Sequence, residues 1–288
     1  MRTLTALAAL ASLAALGGCA IIVNPNEGAH VQTMWSKSVE QGNGVAARDQ
    51  RNVPALPGLD VSGALPVEVR VGPAPSLVVE ADGNLLPYIR TEASGNALRV
   101  WSEQELSSRT PIRIVYTTPR LSEVRASGSS RVEVSELNGA PLDVRKSGSG
   151  EVRLAGRVES LNARASGSGV IDAAQLHSAS ADLELAGSGR MTVGDVRGDY
   201  ARVHVSGSGR LEASGVVRSL NARVSGSGSV DLGGLSTQDA DLGTSGSGGI
   251  RATVKQSLIA RTSGSGGIRV YGQPAQRNIS GERVHLLD

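Results

Sequence analysis

A Ser-Gly-Ser-Gly tetrapeptide, degenerate in some copies, recurs at a nearly constant interval through the second half of the sequence. Successive copies lie 18 to 20 residues apart, measured between their first glycines: Gly128, Gly148, Gly167, Gly187, Gly207, Gly226, Gly246 and Gly264. A fixed period of this size is typical of solenoids, in which each repeat is one turn of a stack and buries its apolar side chains against its neighbours. The period therefore predicts an all-β protein, a single-stranded parallel β-helix (β-solenoid) with about 20 residues per coil.

Apolar residues at fixed offsets from these glycines indicate which side chains face the interior. Leu142 and Val144 stand six and four residues before Gly148. Val152 and Leu154 stand four and six residues after it, and nearly all other copies carry apolar residues at the same offsets. Polar residues lie between them, as expected for strands whose successive side chains point to opposite faces. Each coil is predicted to have two short strands flanking the Ser-Gly turn and a less regular third side.

One outward position carries charges that alternate in sign through three successive copies. Glu133, Arg153 and Asp172 occupy one offset in three successive copies. Parallel stacking places each above its counterpart one coil away, so we expect neighbours to attract, with about 0–1 kcal/mol for each exposed pair. The alternation is therefore better evidence for the register than for stability.

The paired glycines of each copy have two possible roles. Glycine permits a positive φ at a corner and the close approach of another backbone, so the first prediction is a structural bend. The alternative is a flat face of small residues that receives a partner chain, a glycan or a second copy of the protein. Worn copies of the turn are predicted at Gly63 and Gly281. The glycines of the regular turns are Gly128, Gly148, Gly150, Gly167, Gly169, Gly187, Gly189, Gly207, Gly209, Gly226, Gly228, Gly246, Gly248, Gly264 and Gly266.

The amino terminus has the pattern of an export signal. Residues 1–18 begin with a charged Arg2, continue with a short apolar run and end with small residues, which predicts a signal peptide. Leu16, Gly17 and Gly18 precede Cys19, the single cysteine, and match the lipobox of bacterial lipoproteins. Lipid on Cys19 would hold the protein on a membrane by more than one acyl chain. The alternative is an ordinary secretory leader that ends near an unrelated cysteine.

The rest of the chain divides into segments by pattern. Residues 19–52 sustain no apolar period and are predicted to be the lipidated cysteine followed by a flexible tether. Residues 53–288 are predicted to form one β-helix domain. Its parts are irregular early coils at 53–121, regular Ser-Gly coils at 122–272 and a carboxyl-terminal cap at 273–288.

No group of residues predicts catalysis, a metal site or a cofactor. The four histidines are dispersed, the coils keep a constant length without inserts that could wall a cleft, and no Ser-Gly copy has the order of a nucleophile elbow. A calcium-binding β-roll needs a nine-residue period, which is half of the period found. The formal net charge is only +2, so we expect no nucleic-acid partner.

Three further stretches carry a family resemblance. They are Leu59–Gly63, Val78–Ile89 and Ile114–Leu121, followed in order by the Ser-Gly copies. The chain from about Val53 to its end resembles the putative auto-transporter adhesin, head GIN domain family. The resemblance implies a right-handed parallel β-helix on an exported or lipid-anchored bacterial protein, and it supplies no catalytic residues. The chain departs from the family pattern near its start, where Leu56 and Leu59 replace the usual aromatic residue.

The leading hypothesis is a non-enzymatic lipoprotein of the bacterial cell envelope, with the outer membrane favoured because Ala20 follows the cysteine instead of an aspartate. Its β-helix would bind a protein or glycan ligand or associate with a second copy of itself. The lipid on Cys19 would anchor the protein in the membrane. One alternative is a polysaccharide-active enzyme on the same scaffold. Another is a purely structural envelope protein that faces the periplasm.

Overall fold

The computed structural model describes residues 39–287, which form a β-solenoid of about 8 turns with ~20 residues per turn and mostly parallel strands. The predicted all-β class and coil length are confirmed. The one helical element within residues 39–287 is a short 3₁₀ helix, Leu86–Tyr88. No helix in this part of the chain has the length and apolarity needed to cross a membrane.

The described chain contains 21 strands. The amino-terminal strands are β1 (Val39–Gln41), β2 (Ala46–Arg51), β3 (Gly58–Val61), β4 (Pro66–Val71), β5 (Ser76–Asp82), β6 (Ile89–Ser94), β7 (Ala97–Ser102), β8 (Glu105–Ser107) and β9 (Arg113–Thr118). The central strands are β10 (Glu123–Ala126), β11 (Arg131–Gly139), β12 (Leu142–Ser147), β13 (Glu151–Gly167), β14 (Val170–Gly187), β15 (Arg190–Gly207), β16 (Arg210–Gly226), β17 (Ser229–Gly246) and β18 (Gly249–Gly264). The last strands are β19 (Gly267–Tyr271), β20 (Gln276–Ser280) and β21 (Val284–Leu287).

Each regular turn of the solenoid is one long strand. Strands β13 to β18 are 16 to 18 residues long and run from one Ser-Gly turn to the next. Each pairs in parallel with its successor in the stack, with register shifts such as the one between Arg153 and Ala155. The two short strands predicted for each coil are therefore parts of one strand that continues around the third side.

The predicted inward residues form the core. Val144, Leu154 and Ile171 are examples, and the residues at all four predicted offsets are buried in every regular coil. The third side adds an inward column that the sequence pattern did not reveal, because its distance from the preceding glycine varies with the register shifts. Its members are Leu137, Val158, Leu176, Val196, Val217, Leu235 and Val254.

At its amino-terminal end the solenoid does not follow chain order. Strand β3 pairs in parallel with both β10 and β7, and β4 pairs in parallel with both β11 and β9. The coil made of β3 and β4 therefore lies between the first regular coil and the coil made of β7 and β9. The irregular early coils over residues 53–121 therefore stack in an order different from their order in the chain. In this part the chain reverses direction, and β6 pairs antiparallel with β7 while β5 pairs antiparallel with β9. Side chains alternate with period two in these strands as they do in the parallel strands of the solenoid, so the sequence pattern does not distinguish the two kinds of pairing.

The folded domain begins earlier than predicted. Strands β1 and β2 lie within residues 19–52, the predicted tether, but β1 pairs with β8 and β2 pairs antiparallel with β5. Strand β2 is an edge strand with both faces at least partly exposed, so charged residues occur on both faces. The sequence of β2 therefore lacks the alternation of apolar and polar residues that would have predicted a strand. Covering β5 with a charged edge strand protects it from pairing with other chains. The predicted signal peptide, the lipobox and Cys19 lie outside the described residues.

The carboxyl-terminal segment, for which the sequence predicted a cap over residues 273–288 with a worn turn at Gly281, continues the stack of the solenoid. Strands β20 and β21 pair in parallel with β18 and β19. The connection between β20 and β21 is three residues shorter than the one between β18 and β19. The sequence separation of paired residues is 19 for Arg261 and Ser280, and it falls to 16 for Ile268 and Val284. Gly281 has the predicted positive φ, 106°, but it faces Thr262.

The amino-terminal coils contain the one fully buried aromatic ring of residues 39–287. The ring of Tyr116 is buried, and its hydroxyl donates to the carbonyl of Leu56 (2.9 Å) and accepts from the amide of Leu56 (3.2 Å). Leu56 and Leu59, which stand where the family pattern usually has an aromatic residue, are themselves buried.

One inward position carries a lysine. Lys146 is 3% exposed and pairs in register with Ala126 and Ala165, whose small side chains leave it space. Its Nζ donates to the carbonyl of Gly148 at 2.9 Å, and no carboxylate within residues 39–287 forms an ion pair with it. Burial lowers the pKa of the Lys146 ammonium.

A buried carboxylate lies at the amino-terminal end. Asp82 is 0% exposed and accepts hydrogen bonds from the amide of Arg109 (2.7 Å) and the hydroxyls of Thr110 (2.8 Å) and Ser108 (3.1 Å). Desolvation by burial raises the pKa of Asp82, but these hydrogen bonds together lower it by more, so the pKa lies below its usual value. Through these hydrogen bonds the carboxylate connects the segment after β8 to the last residue of β5.

We expect Lys146→Met to stabilise the protein. Because the pKa of Lys146 is lowered on folding, its charge destabilises the fold at neutral pH, and this penalty disappears as the pH rises toward the unfolded value of about 10.4. Methionine fills a similar volume, and the Gly148 carbonyl keeps its bond from the amide of Gly169. Chemical denaturation at pH 7 should show a gain on the order of 1 kcal/mol. The exposed Lys255→Met is the matched control, and equal effects of the two variants would contradict the prediction.

We expect Asp82→Asn to lower the melting temperature at pH 7. The lowered pKa of Asp82 means that its contribution to stability is complete above the unfolded pKa of about 3.9 and is lost as the pH falls through the folded pKa. The difference between wild type and variant should therefore shrink from pH 6 to pH 3 in thermal melts. Asp199→Asn, at an exposed position, should leave the melting temperature nearly unchanged.

Candidate interaction face

The first glycine of each Ser-Gly turn lies against the same glycine of the preceding coil. All eight have φ between 78° and 108°, in the left-handed region that favours glycine. A Cβ atom on any of them would come within 2.4–2.8 Å of the preceding glycine's carbonyl oxygen. The column continues to Gly63, whose oxygen would lie 2.6 Å from a Cβ on Gly128. Gly63 is therefore a true member of the column.

The second glycine of each turn has a different constraint. It points inward, and in six of the seven turns that have it, from Gly169 to Gly266, it is buried. Its φ is not positive, but a Cβ atom would collide with the coil below, for example at 2.0 Å from the Ser130 oxygen in the case of Gly150. Both predicted glycine columns therefore have a packing role, and this supports the structural interpretation of the turn.

The serine that follows the first glycine is exposed to solvent in every regular turn. These serines form one exposed ridge along the rod, and in the first two coils their hydroxyls lie 3.2 Å apart. The residues of this serine ridge are Ser129, Ser149, Ser168, Ser188, Ser208, Ser227, Ser247 and Ser265.

Beside the ridge, a groove of about 710 Å³ runs across the last coils. We call it the outer groove. Its floor contains Ser229, Gly249 and Gly267, which pair in register with one another. Arg210 and Arg283 lie at its two ends. Its sides carry charged groups from the neighbouring column and the last turn: Glu212, Asp231, Arg251, Arg269, Glu282 and His285.

Ion pairs on the outward columns follow the register only in part. In the same column as the predicted alternation, Arg251 pairs with Asp231 one coil away at 3.3 Å. Arg153, in contrast, pairs at 2.8 Å with Glu151 on its own strand and not with Glu133 or Asp172, although all three are in register. Two residues along one face of a strand are close enough to compete with the residue one coil away.

The histidines remain separate. His177 lies 3.2 Å from Asp195, which also accepts from Arg197 at 2.7 Å. The hydrogen bond from Arg197 is the main reason why the pKa of Asp195 is lowered, with a smaller contribution from His177 and an opposing one from desolvation. His204 is exposed, and His30 lies outside the described residues. Within residues 39–287, no three potential ligands among His, Cys, Asp and Glu gather to hold a metal ion.

A family model identifies the chain. The model described as putative auto-transporter adhesin, head GIN domain, matches residues 56–196 and 173–274. The chain belongs to this family. The resemblance in the sequence is thus confirmed, and it extends over the regular and the early coils. A comparison with curated proteins finds no match.

Solved structures share the fold of this head GIN protein. A putative lipid binding protein from Parabacteroides distasonis ATCC 8503 is 22% identical, with a TM-score of 0.64 over 87% of this chain and 100% of its own. A putative adhesin from Parabacteroides merdae ATCC 43184 is 19% identical, with a TM-score of 0.63 over 88% and 100%. At such identities the likeness concerns the fold alone.

We expect Gly148→Val to destabilise the solenoid. Valine in a left-handed conformation costs about 1–2 kcal/mol, and its Cβ would lie 2.4 Å from the Gly128 oxygen, so the loss should be at least about 2 kcal/mol. Gly249→Val is the control, since Gly249 has no positive φ and a Cβ there would meet only the Gly267 oxygen, at 3.5 Å. Chemical denaturation should show a change within about 0.5 kcal/mol for the control. Similar losses in both variants would contradict the structural role of the turn column.

Proposed function

We propose that this head GIN protein is a lipid-anchored protein of the bacterial cell envelope whose solenoid serves as a non-catalytic interaction module for a protein or glycan ligand. The observation that carries the proposal is the outer groove, a charged, open site on the flank of a continuous rod. The family name points in the same direction, because adhesins act by binding.

The architecture suits presentation of a binding site more than catalysis. Each regular coil pairs with both neighbours over most of its length, so the rod is a rigid spacer of stacked coils about 4.8 Å apart. The outer groove lies in the last coils, far along the stack from β1, where the described chain begins. A lipid near the amino terminus would therefore hold one end of the rod at a membrane and leave the groove distant from it.

The anchor itself rests on the sequence. Leu16, Gly17 and Gly18 before Cys19 supply the lipobox, and the 19 residues from Ala20 to Ser38 would connect the lipid to β1. Because β1 and β2 belong to the domain, the tether is shorter than the 19–52 range that the sequence suggested. We propose outer-membrane attachment, since Ala20 follows the cysteine.

We expect Cys19→Ser to move the full-length protein from the membrane fraction to the soluble fraction. Without the thiol no lipid can be attached, and a stable membrane hold needs more than one acyl chain. Fractionation and immunoblotting of cells that express wild type, Cys19→Ser and the control Ser38→Ala would measure this. Persistence of Cys19→Ser in the membrane fraction would refute the lipid anchor.

The binding role is tested separately by treating intact cells with protease. A surface interaction module should be cleaved on intact cells, and cells that express it should adhere to immobilised glycans or host proteins more strongly than cells without it. Protection until the outer membrane is opened would contradict the adhesion role. It would favour a protein that faces the periplasm.

A further inference from the structure

The outer groove exists because one outward column carries only a serine and two glycines in three successive coils. The preceding coils fill the same column with larger residues: Glu151, Val170, Arg190 and Arg210. Ser229, Gly249 and Gly267 follow. The absence of a side chain at Gly249 is not required by packing, because a Cβ there would meet a single atom at the ordinary contact distance of 3.5 Å. The groove is thus a feature added to the solenoid and not a consequence of stacking.

The charged groups around this floor are not fully neutralised by one another. Arg269 forms no ion pair within residues 39–287, and Arg283 donates to the carbonyl of Ser265 at 2.8 Å and not to a carboxylate. Glu212 and Glu282 also have no ion-pair partner in the described part of the chain. These four side chains give the groove guanidinium donors and carboxylate acceptors side by side that have no ion-pair partner among residues 39–287.

This mixture selects a class of ligand. A chain whose polar groups are all anionic would be attracted by Arg269 and Arg283 but would offer no hydrogen-bond donor to Glu212 and Glu282. A chain that bears both carboxylates and many hydroxyls satisfies both sets, since carboxylates accept charge-assisted bonds from arginine and hydroxyls donate to carboxylates. The ring of Tyr271, 36% exposed, does not line the groove, but it lies two residues beyond Arg269 on the same face of β19 and offers an apolar surface to a sugar that extends past Arg269.

We infer that the outer groove binds an acidic oligosaccharide, a hydroxyl-rich chain that carries carboxylate groups. This inference rests on the proposed function and names the ligand class of the same site. Arg269 and Arg283 bind the carboxylates, Glu212 and Glu282 accept sugar hydroxyls, and the floor at Gly249 and Gly267 receives the sugar rings.

Calorimetric titration of the purified protein with tetragalacturonate tests the inference. Wild type should bind it, and Arg269→Gln should weaken binding at least about tenfold, because a charge-assisted bond is lost. Gly249→Gln should weaken binding to a similar extent by placing a side chain on the floor. Arg153→Gln removes the same charge from the same column, six coils away from Arg269, and should change the Kd less than about twofold. Thermal melts of all three variants should stay close to wild type.

Two further probes decide which chemistry is recognised. Fully methyl-esterified tetragalacturonate keeps the chain but lacks the charge, and it should bind at least about tenfold more weakly. Tetraglutamate carries the charge without the hydroxyls and should also bind more weakly. No binding of tetragalacturonate, equal binding of its methyl ester, equal or tighter binding of tetraglutamate, or an equal effect of Arg153→Gln would each overturn the inference.

The same samples separate this inference from the proposed function. If tetragalacturonate does not bind but intact cells still adhere, the inferred ligand class is contradicted and the proposed interaction role is retained. Shortened sugars in a chromatogram after incubation would contradict the non-catalytic role, while leaving the ligand class in place.

Discussion

The hydrogen bond from each Ser-Gly turn to the glycine carbonyl one coil below determines how the rest of the chain can stack. The Ser149 amide donates to the Gly128 oxygen at 3.0 Å, and equivalent bonds recur up to the amide of Gly266 and the oxygen of Gly246. For this bond to form, the corner of one coil must lie directly on the corner of the next, which leaves no space for a Cβ atom. The positive φ turns the chain at that point, so the strands before and after it enter the stack in register. The buried columns follow from this register, because side chains at equal offsets then fall above one another.

This dependence explains which parts of the fold the sequence could predict. The coil length and the inward columns beside the turn are fixed by distance from the glycines, and residues such as Val144 and Val152 were predicted from that distance alone. The third side is not fixed in this way. Register shifts between Ala173 and His177 or between Leu232 and Ser236 change the count of residues without breaking the stack. Its inward residues therefore have no constant offset, and a periodic pattern cannot show them.

The ends of the solenoid were hidden for a different reason. Side chains alternate with period two both in strands that pair antiparallel and in strands that stack in parallel. The sequences of β5 and β6 therefore do not indicate which strand each of them pairs with. Chain order is also no guide, since β3 and β4 lie in the stack between coils that follow them in the sequence. The residues of the outer groove were individually visible as outward charges. They form one site because Gly249 has no side chain to separate them. The sequence contains 37 glycines, so this one could not be identified as part of a site from the sequence alone.

The contrast between Gly246 and Gly249 separates structure from function within one short stretch. Gly246 has a φ of 106° and lies where a Cβ would be 2.6 Å from the Gly226 oxygen, so the stack requires it. Gly249 has neither constraint, and the same column tolerates glutamate, valine and arginine in earlier coils. The turn column has little freedom to change without loss of the fold, whereas the outward column can vary from coil to coil. A solenoid of this kind therefore keeps its constant residues at the corner and has room for a ligand site in the adjacent outward columns, which is where the outer groove lies.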